Sequence, residues 1–80
     1  MTFHTNDGAA FLGLRERDGQ LQIVYDHLSG RRMVFRLEGG VSQIDEIQHV
    51  LREAVCSKDA LVALASALTT HRISFHVASA

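Results

Sequence analysis

Proline and tryptophan are absent from this chain, cysteine and tyrosine occur once each, and the formal net charge is only −1. Each scarcity excludes something. The lone Cys56 cannot close an intrachain disulfide, and it has no nearby cysteine or histidine with which to hold a metal. Near-neutrality gives no general attraction to nucleic acid or acidic membranes, so any such binding has to come from a local patch. The uncharged, mostly apolar run Ala60 to Thr70 falls well short of the ~20 residues that a membrane span needs. Met1 is followed by polar residues rather than by a basic region and an apolar stretch. With the single thiol, this leads us to expect a reducing, cytoplasmic setting. The lack of proline removes one class of helix breaker and carries no function.

What is present fits one domain spanning residues 1–80, since a chain of 80 residues buries somewhat over about 60% of its unfolded surface around a single modest core. Residues 1–8 are expected to be a flexible, polar lead-in with Phe3 as an anchor. From Ala10 to Leu37 the pattern is that of strands. Leu12 and Leu14 alternate, and Asp18-Gly19 then marks a type I′ hairpin turn, in which both central positions need positive φ. Pairing through that turn sets Leu14 opposite Ile23 and Leu12 opposite Tyr25, so the apolar faces coincide. A five-residue loop over 27–31 then sets Tyr25 against Met33, Ile23 against Phe35, Val24 against Val34 and Asp26 against Arg32.

Glu38-Gly39-Gly40 ends this meander. Ser42 is expected to cap a helix through Val55, with Asp45 in capping-box position and Ile44, Ile47, Leu51, Ala54 and Val55 forming the apolar stripe. Ser57 is expected to cap a second helix through about Thr69, with Lys58 and Asp59 in its first turn. That helix carries a stripe of Leu61, Leu64, Ala65 and Leu68, with Val62 beside it. Burying Leu61, Val62, Leu64 and Leu68 would contribute a gross ~6–12 kcal/mol before chain entropy offsets it. Because this helix is uncharged nearly all round, it demands burial on more than one face. Ala60, Ala63 and Ala67 form a small-residue side where a second chain could pack closely, so they are the candidate self-association residues of a homodimer. The alternative is a core helix held between the sheet and the first helix. The alternating residues Arg72 to Val77 supply a last strand.

The expected fold is therefore α+β in the order β-β-β-α-α-β: a three- to four-stranded antiparallel sheet with both helices on one face. If the last strand joins that sheet, Gln22, Asp26, Arg32, Arg36, Arg72, Ser74 and His76 project away from the helices. Arg32, Arg36, Arg72 and His76 are the candidate partner-binding residues, a cationic group suited to phosphate, RNA or an acidic protein. Val24 and Val34 stand where sheet-based RNA binders carry stacking aromatics. The plainer reading is a solvated face on which Asp26 neutralises Arg32.

Catalytic chemistry finds little support. Ser29 sits in Leu-Ser-Gly rather than a nucleophile elbow, and Cys56 reads as an inert buried thiol two helical turns from His49. The five histidines lack metal-ligand spacing, with His71 and His76 of opposite strand parity. Gly39-Gly40 before a helix reads as a turn rather than an anion site. No cofactor, metal or catalytic residue is expected. The chain reads as a small non-catalytic module that binds or regulates another protein, acting as a homodimer and away from membranes. Nucleic-acid binding through the arginine-bearing face is the alternative, and an enzyme would need a site built from His76, Ser74 and Asp26.

Overall fold

A computed structural model describes residues 1–39 and 41–79, so Gly40 of the expected Gly39-Gly40 turn lies outside the described residues. The elements are β1 (Thr2–His4), β2 (Ala10–Arg17), β3 (Gln20–His27), β4 (Arg32–Leu37), a 3-10 turn (Val41–Gln43), α1 (Ile44–Val55), α2 (Ala60–Thr70) and β5 (Phe75–Ser79). The strands form one antiparallel sheet in the order β1-β2-β3-β4-β5. The α+β class is as expected, but the sheet has five strands rather than three or four.

The β2–β3 hairpin follows its turn chemistry. Asp18 and Gly19 have φ of 53° and 78°, and the ladder pairs Leu14 with Ile23 and Leu12 with Tyr25. The β3–β4 ladder likewise pairs Tyr25 with Met33 and Asp26 with Arg32. Its loop closes through the His27 amide donating to the Arg31 carbonyl at 2.9 Å. Thr2–His4, expected in the flexible lead-in, instead pairs with Gly13–Phe11 of β2 as the first edge strand. The turn into β2 is fixed by Thr5, whose hydroxyl donates to the Asp7 carboxylate at 2.6 Å and accepts the Ala10 amide at 3.1 Å.

Both helix starts differ from expectation. α1 emerges from the 3-10 turn with no side-chain cap, and the Ser42 hydroxyl donates to the Gly39 carbonyl instead. Asp45 and Glu46 still place negative charge in the first turn, where the helix dipole favours it. α2 is capped by Asp59, not Ser57: the Asp59 carboxylate accepts the Val62 amide at 3.2 Å.

The end of α2 is a Schellman motif. Ile73 donates its amide to the Leu68 carbonyl at 2.9 Å and Arg72 donates to the Thr69 carbonyl at 3.0 Å, with Arg72 in the left-handed region at φ 58°. Leu68 and Ile73, the apolar pair that accompanies this motif, are both buried. Residues 72–74 are therefore a helix stop, and β5 begins only at Phe75.

The core lies between the sheet and the helices. Leu12, Leu21, Ile23, Tyr25, Phe35 and Leu37 meet Ile47, Val50 and Leu51 of α1, Leu64 and Leu68 of α2, and Ile73. Phe3 packs on its margin as an anchor. Val62, expected to be buried with the leucines of α2, is 63% exposed. No helix among the described residues is long and apolar enough to cross a membrane.

Candidate binding surface

The ladder registers assign the sheet face away from the helices residue by residue, because directly paired residues share a face. Its middle row runs Thr2–Gly13–Val24–Val34–Ala78 across all five strands. One flanking row is Arg15–Gln22–Arg36–His76, and the other is His4–Phe11–Asp26–Arg32. Arg17 and Gln20 pair at the hairpin end. A mainly apolar strip thus lies between two rows that carry the charge.

Local packing gives this face its shape. Val24 and Val34 are only 7% and 8% exposed although no helix covers them. They stand between rows of longer side chains, whose aliphatic stems are suited to covering such a strip while their polar ends stay in water. Gln22 is 7% exposed, and its side-chain oxygen accepts from Arg15 Nε at 2.9 Å. At the other end the Phe11 ring, 37% exposed, stands 5.8 Å from the His4 ring at an interplanar angle of 44°.

The electrostatics are one-sided. Arg15, Arg17, Arg32 and Arg36 share the face with Asp26 on the strands and with Glu38, whose carboxylate reaches its edge at His76. Asp26 is directly opposite Arg32 in the ladder, yet their charged atoms do not come within ion-pairing distance. Among the described residues, none of the four arginines has a carboxylate within 4.0 Å. The helix layer has the opposite bias, with Asp45, Glu46, Glu53 and Asp59 against Arg52 and Lys58. A chain close to neutral overall therefore presents a cationic sheet face and an acidic helix side.

Of the partner-binding residues expected from sequence, Arg32, Arg36 and His76 come together on this face. His76 pairs there with Glu38 through Nε2. Arg72 does not belong to it. Held in the stop after α2, it lines a cleft of about 470 Å³ at the sheet's edge with Glu38, Ser74 and His76. Arg15, Arg17 and Phe11 were missed, although strand parity carried the signal: with Leu12 and Leu14 inward, positions 11, 15 and 17 must face outward.

The self-association candidates stand elsewhere. Ala60 is buried, and Ala63 and Ala67 are half-buried against the core, where they line a groove of about 310 Å³ with Glu53, Ala54 and Ser57. Their small side chains let α1 and α2 pack together within one chain. Val62, Ser66, Thr69 and Thr70 are the exposed residues of α2.

Other candidate chemistry stays dispersed. His71 lies 3.3 Å from Glu46 and 3.9 Å from Glu53, with the His49 ring 6.2 Å away. Among the described residues no group of three or more histidine, cysteine or acidic side chains is placed to hold a metal ion. Cys56 is exposed rather than buried, and its thiol donates to the Arg52 carbonyl at 3.4 Å. Comparison with known proteins finds no matching family model, no similar curated protein and no similar solved structure.

Proposed function

We propose that this chain is a small non-catalytic binding module, working in the cytoplasm, that docks an acidic surface of another protein on its outward sheet face. The observation that carries this reading is the set of four arginines on one face, with no carboxylate partner among the described residues, flanking a low strip built around Val24 and Val34. Arginine suits such an interface because its planar fork binds carboxylates bidentately and is weakly hydrated, so it loses little on being covered. The strip offers apolar area for the centre of the contact, and the arginines form its polar rim.

A second reading is favoured by one feature. The Phe11–His4 ring pair shares a row with Arg32, and an exposed ring beside cations is what a single-stranded nucleic acid uses for stacking. A photoreactive benzophenone side chain in place of Phe11 separates the two. In extract of the cells that make the protein, the protein-docking reading expects a discrete adduct that protease removes and nuclease does not. The same group in place of Val62, on the helix side, should give no such adduct. A nuclease-sensitive adduct at position 11 would establish the second reading. Adducts from position 62 alone would contradict both.

A further inference from the structure

The two edges of the sheet are built differently. β1 is only three residues long, and the Arg52 guanidinium stands 5.8 Å above the Phe3 ring that anchors it. Shortness of this kind blunts an edge against further pairing. β5 is five residues long and, among the described residues, pairs on one side only, with β4. In an antiparallel ladder, alternate residues turn their amide and carbonyl groups away from the partner strand, so β5 presents a row of such groups along its free side. Among the described residues, none of Phe75 to Ser79 makes a backbone hydrogen bond outside the sheet.

This edge also lacks the usual protection. Phe75-His76-Val77-Ala78-Ser79 contains no lysine, arginine, carboxylate or proline, and its pairing with β4 runs without a bulge. Val77 shares a face with the buried Phe35, yet it is 47% exposed because it lies at the margin of the helix layer. The result is an apolar side chain standing next to an open backbone edge.

We propose that the β5 edge pairs antiparallel with β5 of a second copy of this chain, making a ten-stranded sheet about a two-fold axis at Val77. The register is self-complementary. Val77 stands opposite its own copy, His76 opposite Ala78 of the second chain and Phe75 opposite position 79, so no like charges meet across the axis. The outward faces of the two copies become one continuous cationic surface, with the rows ending in His76 and Ala78 adjoining. This pairing uses the strand's edge and is independent of what the arginine face binds. It can fail while that reading stands.

The test is sedimentation equilibrium over a concentration series, on the wild type and on Val77→Lys and Ala78→Lys variants. A reversible dimer is expected, with each lysine weakening it by about tenfold or more and Val62→Lys leaving it unchanged. Cross-linking guards against a lysine variant that does not fold. In a Cys56→Ser background, Val77→Cys should form a disulfide-linked dimer on mild oxidation, since residues paired across a two-fold ladder have Cα atoms about 4.5–5.5 Å apart. A Thr70→Cys control should not. A strict monomer throughout the series would overturn the proposal, as would a dimer broken by Val62→Lys and untouched at positions 77 and 78. A failure of Val77→Cys to cross-link more than the control would also overturn it.

Discussion

Arg15 donates from Nε to the side-chain oxygen of Gln22 at 2.9 Å, and the contact explains how a glutamine comes to be buried on the open face of a sheet. A polar group at that depth is tolerated when it is paired and costly when it is orphaned. Gln22→Ala and Arg15→Ala should each lower stability by about 0.5–1.5 kcal/mol in urea unfolding. The double variant should lose less than the sum of the two. Strict additivity would mean that the bond contributes nothing.

Asp59, rather than Ser57, holds the first turn of α2. Asp59→Ala removes the acceptor of the Val62 amide and should cost about 0.5–2 kcal/mol. Ser57→Ala should stay within about 0.5 kcal/mol of the wild type, as a surface change away from any cap does. Thermal unfolding of the pair decides which residue is the cap.

At the other end of α2, Arg72 occupies a left-handed position that glycine fills more easily. Relief of that backbone strain competes with the greater freedom glycine gives the unfolded chain. Arg72→Gly should therefore raise stability by up to about 1 kcal/mol. Arg72→Val should lower it, because a β-branched residue tolerates positive φ worst. Neither change touches the outward sheet face, so neither should alter partner binding.

Acid should act through Asp7. The Thr5 hydroxyl first, then the Ala9 amide, hold its carboxyl below the ordinary value of 3.8. A depressed carboxylate pKa adds stability above the unfolded value and loses it as pH falls through the folded one. Asp7→Asn should thus be less stable than the wild type at neutral pH, with the difference shrinking as pH drops below 3.8. A difference that stays constant across that range would remove the charged hydrogen bonds from the explanation.

Local chemistry made part of this architecture legible. Asp18-Gly19 fixed a turn type, the turn fixed a register, and alternation fixed the faces, so the inner residues of two of the four ladders, β2–β3 and β3–β4, follow from a short stretch of chain. The spacing of Ile47, Leu51 and Ala54 identified α1 in the same way. β1 was hidden because three residues with one apolar side chain carry no period. The caps were hidden because Ser57 and Asp59 are both good capping residues, and the choice between them depends on backbone angles that the wider fold imposes. Arg72 was misplaced because alternation in Arg72 to Val77 resembles a strand throughout, while the stop at its start depends on Leu68 and Ile73 burying together. The alanine side of α2 could not be assigned without knowing where α1 lies. On the sheet face, Arg32, Arg36 and His76 were accessible to pattern reading, and Arg15, Arg17 and Phe11 were equally so by parity.

The central claim is that the outward arginines hold a partner. Its most direct measurement is the affinity of the partner cross-linked from position 11, titrated against the wild type, Arg32→Gln/Arg36→Gln, and Glu46→Gln/Glu53→Gln on the helix side. Binding should weaken by about tenfold or more in the arginine variant and steepen in its salt dependence for the wild type. The helix-side variant should bind within about twofold of the wild type, as exposed charges remote from an interface contribute little. An arginine variant that binds as tightly as the wild type would contradict the account.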